Sequence, residues 1–498
     1  MPKRLLRVNV AGTESVTKVL DALRSELDVS LDFPAEAVAE AERAAAEVTY
    51  DDLLDRRDIP FVTIDPPGSR DLDQALHIER TDEGYLVRYA IAAVALFVEP
   101  GSALDQEIIR RGVTIYSPDQ AAPLHPAVLS SGAASLLPYV DRPAYIWYHH
   151  LDSQGNLSHS WVELGIVRSR AQLTYEQVQD AYDADAPLPD AVPADMADLL
   201  AEVGKLREVL ELERGGASID IPEQRVEKNA EGFYLAFRDV TPMDGWNAQI
   251  SLLTGMAAAI MMLRAGVGIL RTLPPAHERD IFRLRKVAKF LGLDWPKDES
   301  YAHFVADLDG SDPHIAAFFN EAVTLFRGAG YLALPVVVSD DDRGKHKAET
   351  NLEHAAIGAP YAHVTAPLRR LVDRYGLEVC RCICSGDPIP EWVLEALPGL
   401  PKIMGSADRT ANSLERRAIA AVEAIILAGR EGERFPGVII EKLKPRGDDD
   451  PERGVVLIAE PAVEAVVTGE GLPVGERVLV ELVRADTESG QTEFKLVK

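Results

Sequence analysis

Apolar and polar positions change texture several times along the chain. RLLRVNV at the start alternates like a short strand, while TKVLDALRSEL and the Ala/Glu-rich run opened by Pro34 carry helical spacing. From Phe61 the pattern turns to strands: FVTID, QALHIE and YLVRYAIAAVALFV, punctuated by the turns PPGSRD and TDEG. DADAPLPDAVPADM, with Pro187, Pro189 and Pro193, reads as a loop, and DLLAEVGKLREVLELER after it as a helix stopped by Gly215 and Gly216. AQISLLTGMAAAIMML, interrupted by Gln249, Ser251 and Thr254, falls short of the roughly 20 apolar residues of a bilayer span and reads as a buried helix. Beyond the break SGDPIPEWVLEALPGLP, Leu414, Ala418 and Val422 recur every four residues on a long helix.

From Phe435 onward GVIIEKL, GVVLIA, EAVVTG, RVLVELVRAD and TEFKLVK are short β-rich runs parted by Gly, Pro and Asp. Five such strands predict a small closed barrel of the OB type. The fold class is therefore α+β: a small helical, winged-helix-like appendage over residues 1–50, a mixed α/β body over 51–430 and a five-stranded barrel over 431–498.

With 498 residues, 47% of them hydrophobic and 27% charged, the chain has the means for a large core and is no disordered tail. Eighty Asp plus Glu against 52 Lys plus Arg give a net charge of −28, so the bulk field repels nucleic acid. An RNA or DNA site must then be a local basic channel or work through bound metal. Cys380, Cys382 and Cys384 sit in one run, CRCIC, which reads as buried thiols in a reducing cytosol and not as a metal cage. MPKRLLRVNVAGTESV has no apolar signal core, and the expectation is a cytoplasmic monomer with no membrane contact and no obligate protein partner.

FVTIDPPGSRDLDQA, residues 61–75, holds the candidate chemistry. In an extended segment residues two apart share a face, so Asp71 and Asp73 can converge with Asp65 beyond the Pro-Pro-Gly turn. Close carboxylates repel unless a cation neutralises them, and hard oxygen donors select Mg²⁺ or Mn²⁺, metals that act on phosphates. Acidic residues that merely solvate a turn are the competing reading.

These residues resemble the signature of the catalytic RNB domain of the ribonuclease II and ribonuclease R family, Thr-Ile-Asp-x-x-x-x-x-Asp-x-Asp-Asp-Ala. Three further segments are similar to the family's in the same order: YAIAAVALFVEPGSALDQEIIRRGVTIYSP, LSSGAASLLPYVDRPA and YAHVTAPLRRLVD. The resemblance covers roughly residues 50–430, and the family also ends in an OB-type RNA-binding barrel. It implies a 3′ to 5′ exoribonuclease that hydrolyses single-stranded RNA to nucleoside 5′-monophosphates with one or two Mg²⁺ or Mn²⁺ ions.

By that resemblance Asp65, Asp71, Asp73 and Gln74 fall on the metal site, with Asp71, Asp73 and Arg369 catalytic. Tyr116, Tyr175, Arg369, Arg370 and Glu415 fall on positions that meet RNA. Gln74 stands where the family has a fourth aspartate, and Ala93 where its next motif often has another. A weakened or inactive RNA-binding relative is therefore one alternative, and a Mg²⁺-dependent phosphatase or nucleotide hydrolase a second. Tyr116, Tyr175 and Glu415 each also read as ordinary packing or surface residues. Arg283, Arg285, Lys286 and Lys289 in RLRKVAKF either track phosphates or form an exposed helix face. Asp340 to Asp342 and Asp448 read as solvated loops.

Overall fold

The computed structural model describes residues 13–497 except 185, 218–222, 230–231, 239–240, 307, 309–312, 323–324, 326–327, 336–350, 445–450, 459, 461–462 and 488. RLLRVNV, Asp340 to Asp342 and Asp448 lie outside the described residues.

Helices α1 (Thr13–Glu26) and α2 (Ala35–Glu47) lead into β1 (Leu54–Asp55), β2 (Thr63–Ile64), β3 (Gln74–Thr81) and β4 (Gly84–Ala92). The long apolar run after Tyr85 does not continue as a strand. The ladder ends at Ala92 and the chain turns through a 3₁₀ stretch, Val94–Phe97. Then come α3 (Ala103–Arg111), the hairpin β5 (Ile115–Tyr116) and β6 (Ala121–Ala122), and the long strands β7 (Asp141–Asp152) and β8 (Leu157–Arg168). Strand β9 (Gln172–Leu173) pairs in parallel with β2 and precedes α4 (Tyr175–Tyr182) and α5 (Met196–Glu213). The main sheet has the order β1-β8-β7-β4-β3. On its inner face Trp147 and Tyr89 are buried, and His149 is held between Ser160 Oγ at 2.9 Å and Thr254 Oγ1 at 3.0 Å.

A hairpin of β10 (Glu223–Asn229) and β11 (Gly232–Arg238) precedes α6 (Pro242–Ala265), whose 24 residues are apolar enough to cross a membrane by length and composition. Its start is fixed by a capping box between Thr241 and Asp244 with Pro242 in the first turn, and its end by the left-handed Gly266. It packs inside the body against α5 and α10 (Leu371–Ser385), which explains the apolar run. Gly204 and Gly255 allow this closeness. A Cβ on Gly204 would lie 2.3 Å from Trp246, and one on Gly255 2.1 Å from the Tyr361 ring.

Strand β12 (Gly268–Thr272) pairs with β13 (Gly330–Leu334) around a helical lobe of α7 (Glu278–Phe290), α8 (Tyr301–Ala306) and α9 (Pro313–Ala322). The lobe has its own core, in which Leu284, Trp295, Phe304 and Phe318 meet Ile440 of the barrel. After α10 come α11 (Glu391–Ala396) and α12 (Leu400–Leu427), a 28-residue helix touching α1, the body and the barrel. The barrel consists of β14 (Arg434–Leu443), β15 (Glu452–Ile458), β16 (Val463–Gly469), β17 (Arg477–Asp486) and β18 (Gln491–Leu496). It closes in the order β14-β15-β16-β18-β17 with β16 and β18 parallel, the arrangement expected of an OB-type barrel.

Candidate active site

The segment after β2 is shaped by its prolines. Asp65 N–H still donates to Leu173 O at 3.0 Å, but Pro66 and Pro67 have no N–H to continue a ladder. The turn closes through Ser69 N to Pro66 O at 3.2 Å, with Gly68 at φ +84°, where a side chain would be strained. Ser135, from the LSSGAASLLP stretch, then clamps the returning chain. Its hydroxyl donates to Arg70 O at 2.6 Å and accepts from Leu72 N at 3.0 Å. Leu72 is fully buried, so its neighbours Asp71 and Asp73 turn the other way, as the two-residue alternation requires.

TAPLRR meets this segment from the far side of the chain. Asp73 Oδ1 accepts the Leu368 N–H at 2.7 Å, and Asp73 Oδ2 lies 3.3 Å from Arg369 Nε. The Arg369 side chain keeps 47% of its surface exposed. Arg369 O accepts Thr114 N–H at 2.9 Å, which carries β5 over the acids, and Tyr116 OH donates to Asp71 Oδ2 at 3.3 Å. Tyr116 remains 53% exposed, so its ring has a free face. Tyr175 is fixed at the first turn of α4 by the capping box of Thr174 and Gln177. It hydrogen-bonds Asn247 of α6 and feels the Asp65 charge.

Burial dominates the electrostatics. It pushes the Asp65 and Asp73 carboxyls up to about 7, against the pull of Arg369 and with further upward pressure from Asp71. Asp65 Oδ2 is buried with no hydrogen-bond partner. These are the marks of acids short of counter-charge, and the all-oxygen donor set suits a hard divalent cation. Yet no three His, Cys, Asp or Glu side chains among the described residues converge enough to cage an ion by themselves.

Three of the expected site residues have surroundings of their own. Gln74 is engaged at both ends of its amide: its Oε1 accepts from Tyr89 OH at 2.5 Å and its Nε2 donates to Thr365 O at 2.6 Å. Arg370 is committed first to the fold. It grips Asp373 with both ends, Nε at 2.9 Å and Nη2 at 2.7 Å. Glu415 lies exposed on α12, and none of the described interactions around the acids reaches it.

Several site residues escaped the sequence reading. Asp373 accepts the Ala366 N–H at 2.6 Å as well as Arg370 and so folds the TAPLRR turn, and its spacing of three from Arg370 was the available signal. His125 Nδ1 lies 3.0 Å from the carbonyl oxygen of Leu368, the residue whose N–H holds Asp73. Tyr89 and Thr365, which brace Gln74, carry no sequence signal beyond ordinary strand and loop positions. Ala93 is fully buried beside Ala92, whose N–H donates to Asp73 O at 2.9 Å.

Compared with known proteins, residues 54–378 match the RNB domain and residues 433–497 the RNase II-type exonuclease C-terminal S1 domain. Ribonuclease R of Aquifex aeolicus is 26% identical over 520 residues, covering 96% of this chain and 70% of the relative. Ribonuclease R 1 of Lactococcus lactis is 25% identical, covering 96% of this chain and 60% of the relative. Among solved structures, Mycoplasma genitalium RNase R in complex with ribose-methylated single-stranded RNA superposes with a TM-score of 0.84 at 17% identity, over 97% of this chain and 78% of that one.

Proposed function

The chain belongs to the RNB-domain family, and we propose that it hydrolyses single-stranded RNA from the 3′ end, releasing nucleoside 5′-monophosphates. The observation that carries this reading is the join between Asp73 and the Leu368–Arg369 peptide, 2.7 Å on one oxygen and 3.3 Å on the other. It pairs a carboxylate of near-neutral pKa with an exposed guanidinium at the place where Asp65, Asp71, Tyr116 and Tyr175 gather. The fold shared with an RNase R that holds single-stranded RNA supports RNA as the substrate.

Asp65, Asp71 and Asp73 are the residues that would hold Mg²⁺ or Mn²⁺, one ion or two, and such an ion supplies Lewis-acid charge at the scissile phosphate. Asp73, oriented by the Leu368 N–H, would accept the proton of the attacking water. Arg369 keeps guanidinium N–H groups beyond Nε to donate to phosphate oxygens as charge builds there. Tyr116 and Tyr175 offer rings for sequence-tolerant stacking on the terminal bases. Arg370 and Asp373 act one step back, holding the turn that presents Leu368 and Arg369.

Incubation of a 5′-labelled 30-mer with Mg²⁺, with Mn²⁺ and with EDTA tests this. A ladder shortening from the 3′ end with either metal and stopping in EDTA is expected, whereas metal-independent or internal cutting would contradict it. The engaged amide of Gln74 favours one second reading, an RNA-binding relative with little hydrolysis, which intact RNA in every lane with undiminished binding would support.

A further inference from the structure

Helix α7 turns an unusual face to solvent. At 100° per residue, Arg279, Phe282, Arg283, Lys286, Lys289 and Phe290 fall within an arc of about 120°, and all six are exposed. Phe282 keeps 61% of its surface in water and Phe290 71%. The opposite side of the helix carries Leu284 and Ala288 into the lobe's own core. A single exposed phenylalanine needs no explanation, but two on one arc with four cations, on a chain of net charge −28, do.

The cations differ in how far they are satisfied. Arg285, just outside the arc, is turned inward: it donates to Pro296 O and Glu299 O, each at 2.8 Å, and lies 4.2 Å from the Trp295 ring centroid. Arg283 shares Glu321 at 3.2 Å, and Arg279 approaches Asp280 only to 3.8 Å. Among the described residues Lys286 and Lys289 have no carboxylate partner, and Lys286 Nζ stands 4.4 Å from the Phe282 ring centroid. By contrast Lys442, a barrel lysine of the kind that would serve phosphate, is neutralised by Glu452 at 3.1 Å.

We propose that the outward face of α7 is a docking strip for single-stranded RNA, separate from the catalytic cleft, with Phe282 and Phe290 stacking on bases and Lys286 and Lys289 meeting phosphates. This rests on RNA being the substrate. Two rings set among four cations on one arc is an arrangement that suits single strands, and the charge is complementary. The two rings are eight residues, about 12 Å, apart along the axis, far enough to receive separate bases. A membrane-surface helix segregates its apolar side from its cations, whereas here the apolar stripe is already spent on the lobe's core and the exposed arc mixes both. The lobe also shares its core with barrel residue Ile440, so the strip rides on the same body as the barrel.

Fluorescence anisotropy of an unstructured 30-mer, in EDTA and across a KCl series, tests the strip on the full chain. Phe282→Ala and Phe290→Ala should each weaken binding at least about fivefold with the salt slope unchanged. The pair Lys286→Gln and Lys289→Gln should lower the slope of log K against log salt by about 1.4, two phosphates at about 0.7 each. All four positions are exposed, so circular dichroism melts should match wild type. Unchanged affinity and slope in these variants overturn the proposal, as does loss only of sedimentation with phosphatidylserine vesicles. Variants that bind normally while wild type shortens the 30-mer in Mg²⁺ overturn the strip and leave the nuclease standing. Strip-dependent binding without any shortening supports the strip and removes the nuclease.

Discussion

Asp73 has both oxygens assigned, one to a backbone N–H and one to Arg369, whereas Asp65 has an oxygen with no partner at all. Their substitutions should therefore differ. Asp73→Asn should cut the single-turnover rate by at least about a hundredfold, the lower end of general-base contributions, while the Kd for RNA stays within about threefold. A variant retaining a tenth of the wild-type rate would remove Asp73 from the chemistry. Protons compete with the cation for the acids held near pKa 7, and protonated carboxyls do not bind metal. The Mg²⁺ concentration giving half-maximal rate should thus rise by about tenfold per pH unit below 7 for one titrating ligand, and level off above it. A requirement flat from pH 8 to 6 would show that these acids do not carry the ion. Gln74→Asp removes the donor to Thr365 O, so it should lower stability by about 1–3 kcal/mol in denaturant melts. With the amide engaged at both ends the Mg²⁺ requirement should not move, and a marked fall in it would show that position 74 faces the ion. That Asp65, Asp71 and Asp73 lie near enough to feel one another's charge was legible, because a strand, a Pro-Pro-Gly turn and two-residue spacing leave little choice of face. The duty of Gln74 was not, because its partners Thr365 and Tyr89 come from other elements and only the fold brings them within reach, whereas the pairing of Arg370 was signalled only by its three-residue spacing from Asp373.

At the scale of elements, the crossing of α5 and α6 depends on Gly204, since an added Cβ would sit 2.3 Å from the Trp246 side chain. Gly204→Ala should destabilise by about 1–3 kcal/mol, read as a lower denaturant midpoint, because Trp246 cannot withdraw while its Nε1–H is bonded to Glu208 at 3.2 Å. A neutral effect would mean that the two helices have room to part. The sequence made α6 visible through its apolar run and the barrel strands visible through their turns. It hid the end of β4, where the run through Ala92 and Ala93 has no Gly or Pro to announce the 3₁₀ turn. It also hid the shortness of β2, two residues between a fully buried hydrophobic approach and Pro66. Polar residues in buried α6 positions misled less than their character suggests, because each has a partner: Gln249 bonds Glu211, and Asn247 bonds Tyr175.

For the molecule as a whole, the barrel is no detachable appendage. Ile440 completes the core of the helical lobe, Glu464 N–H donates to Glu423 of α12 at 3.0 Å, and α12 in turn is tied to α1 by Arg417 and Glu26 at 2.6 Å. Cutting the barrel away would open two cores, so its contribution is better read by point substitution. The same continuity lets one acidic chain of net charge −28 present a few local cationic places, Arg369 at the acids and the α7 arc on the lobe, while its bulk field stays repulsive. The central claim is that these places serve removal of nucleotides one at a time from the 3′ end. It is tested most directly by giving the protein, with Mg²⁺, two copies of one unstructured 30-mer, labelled at the 3′ end in one and the 5′ end in the other. The 3′ label should be released at once as nucleoside 5′-monophosphate while the 5′-labelled strand shortens stepwise, and release of the 5′ label first, or of internal fragments, would contradict removal from the 3′ end.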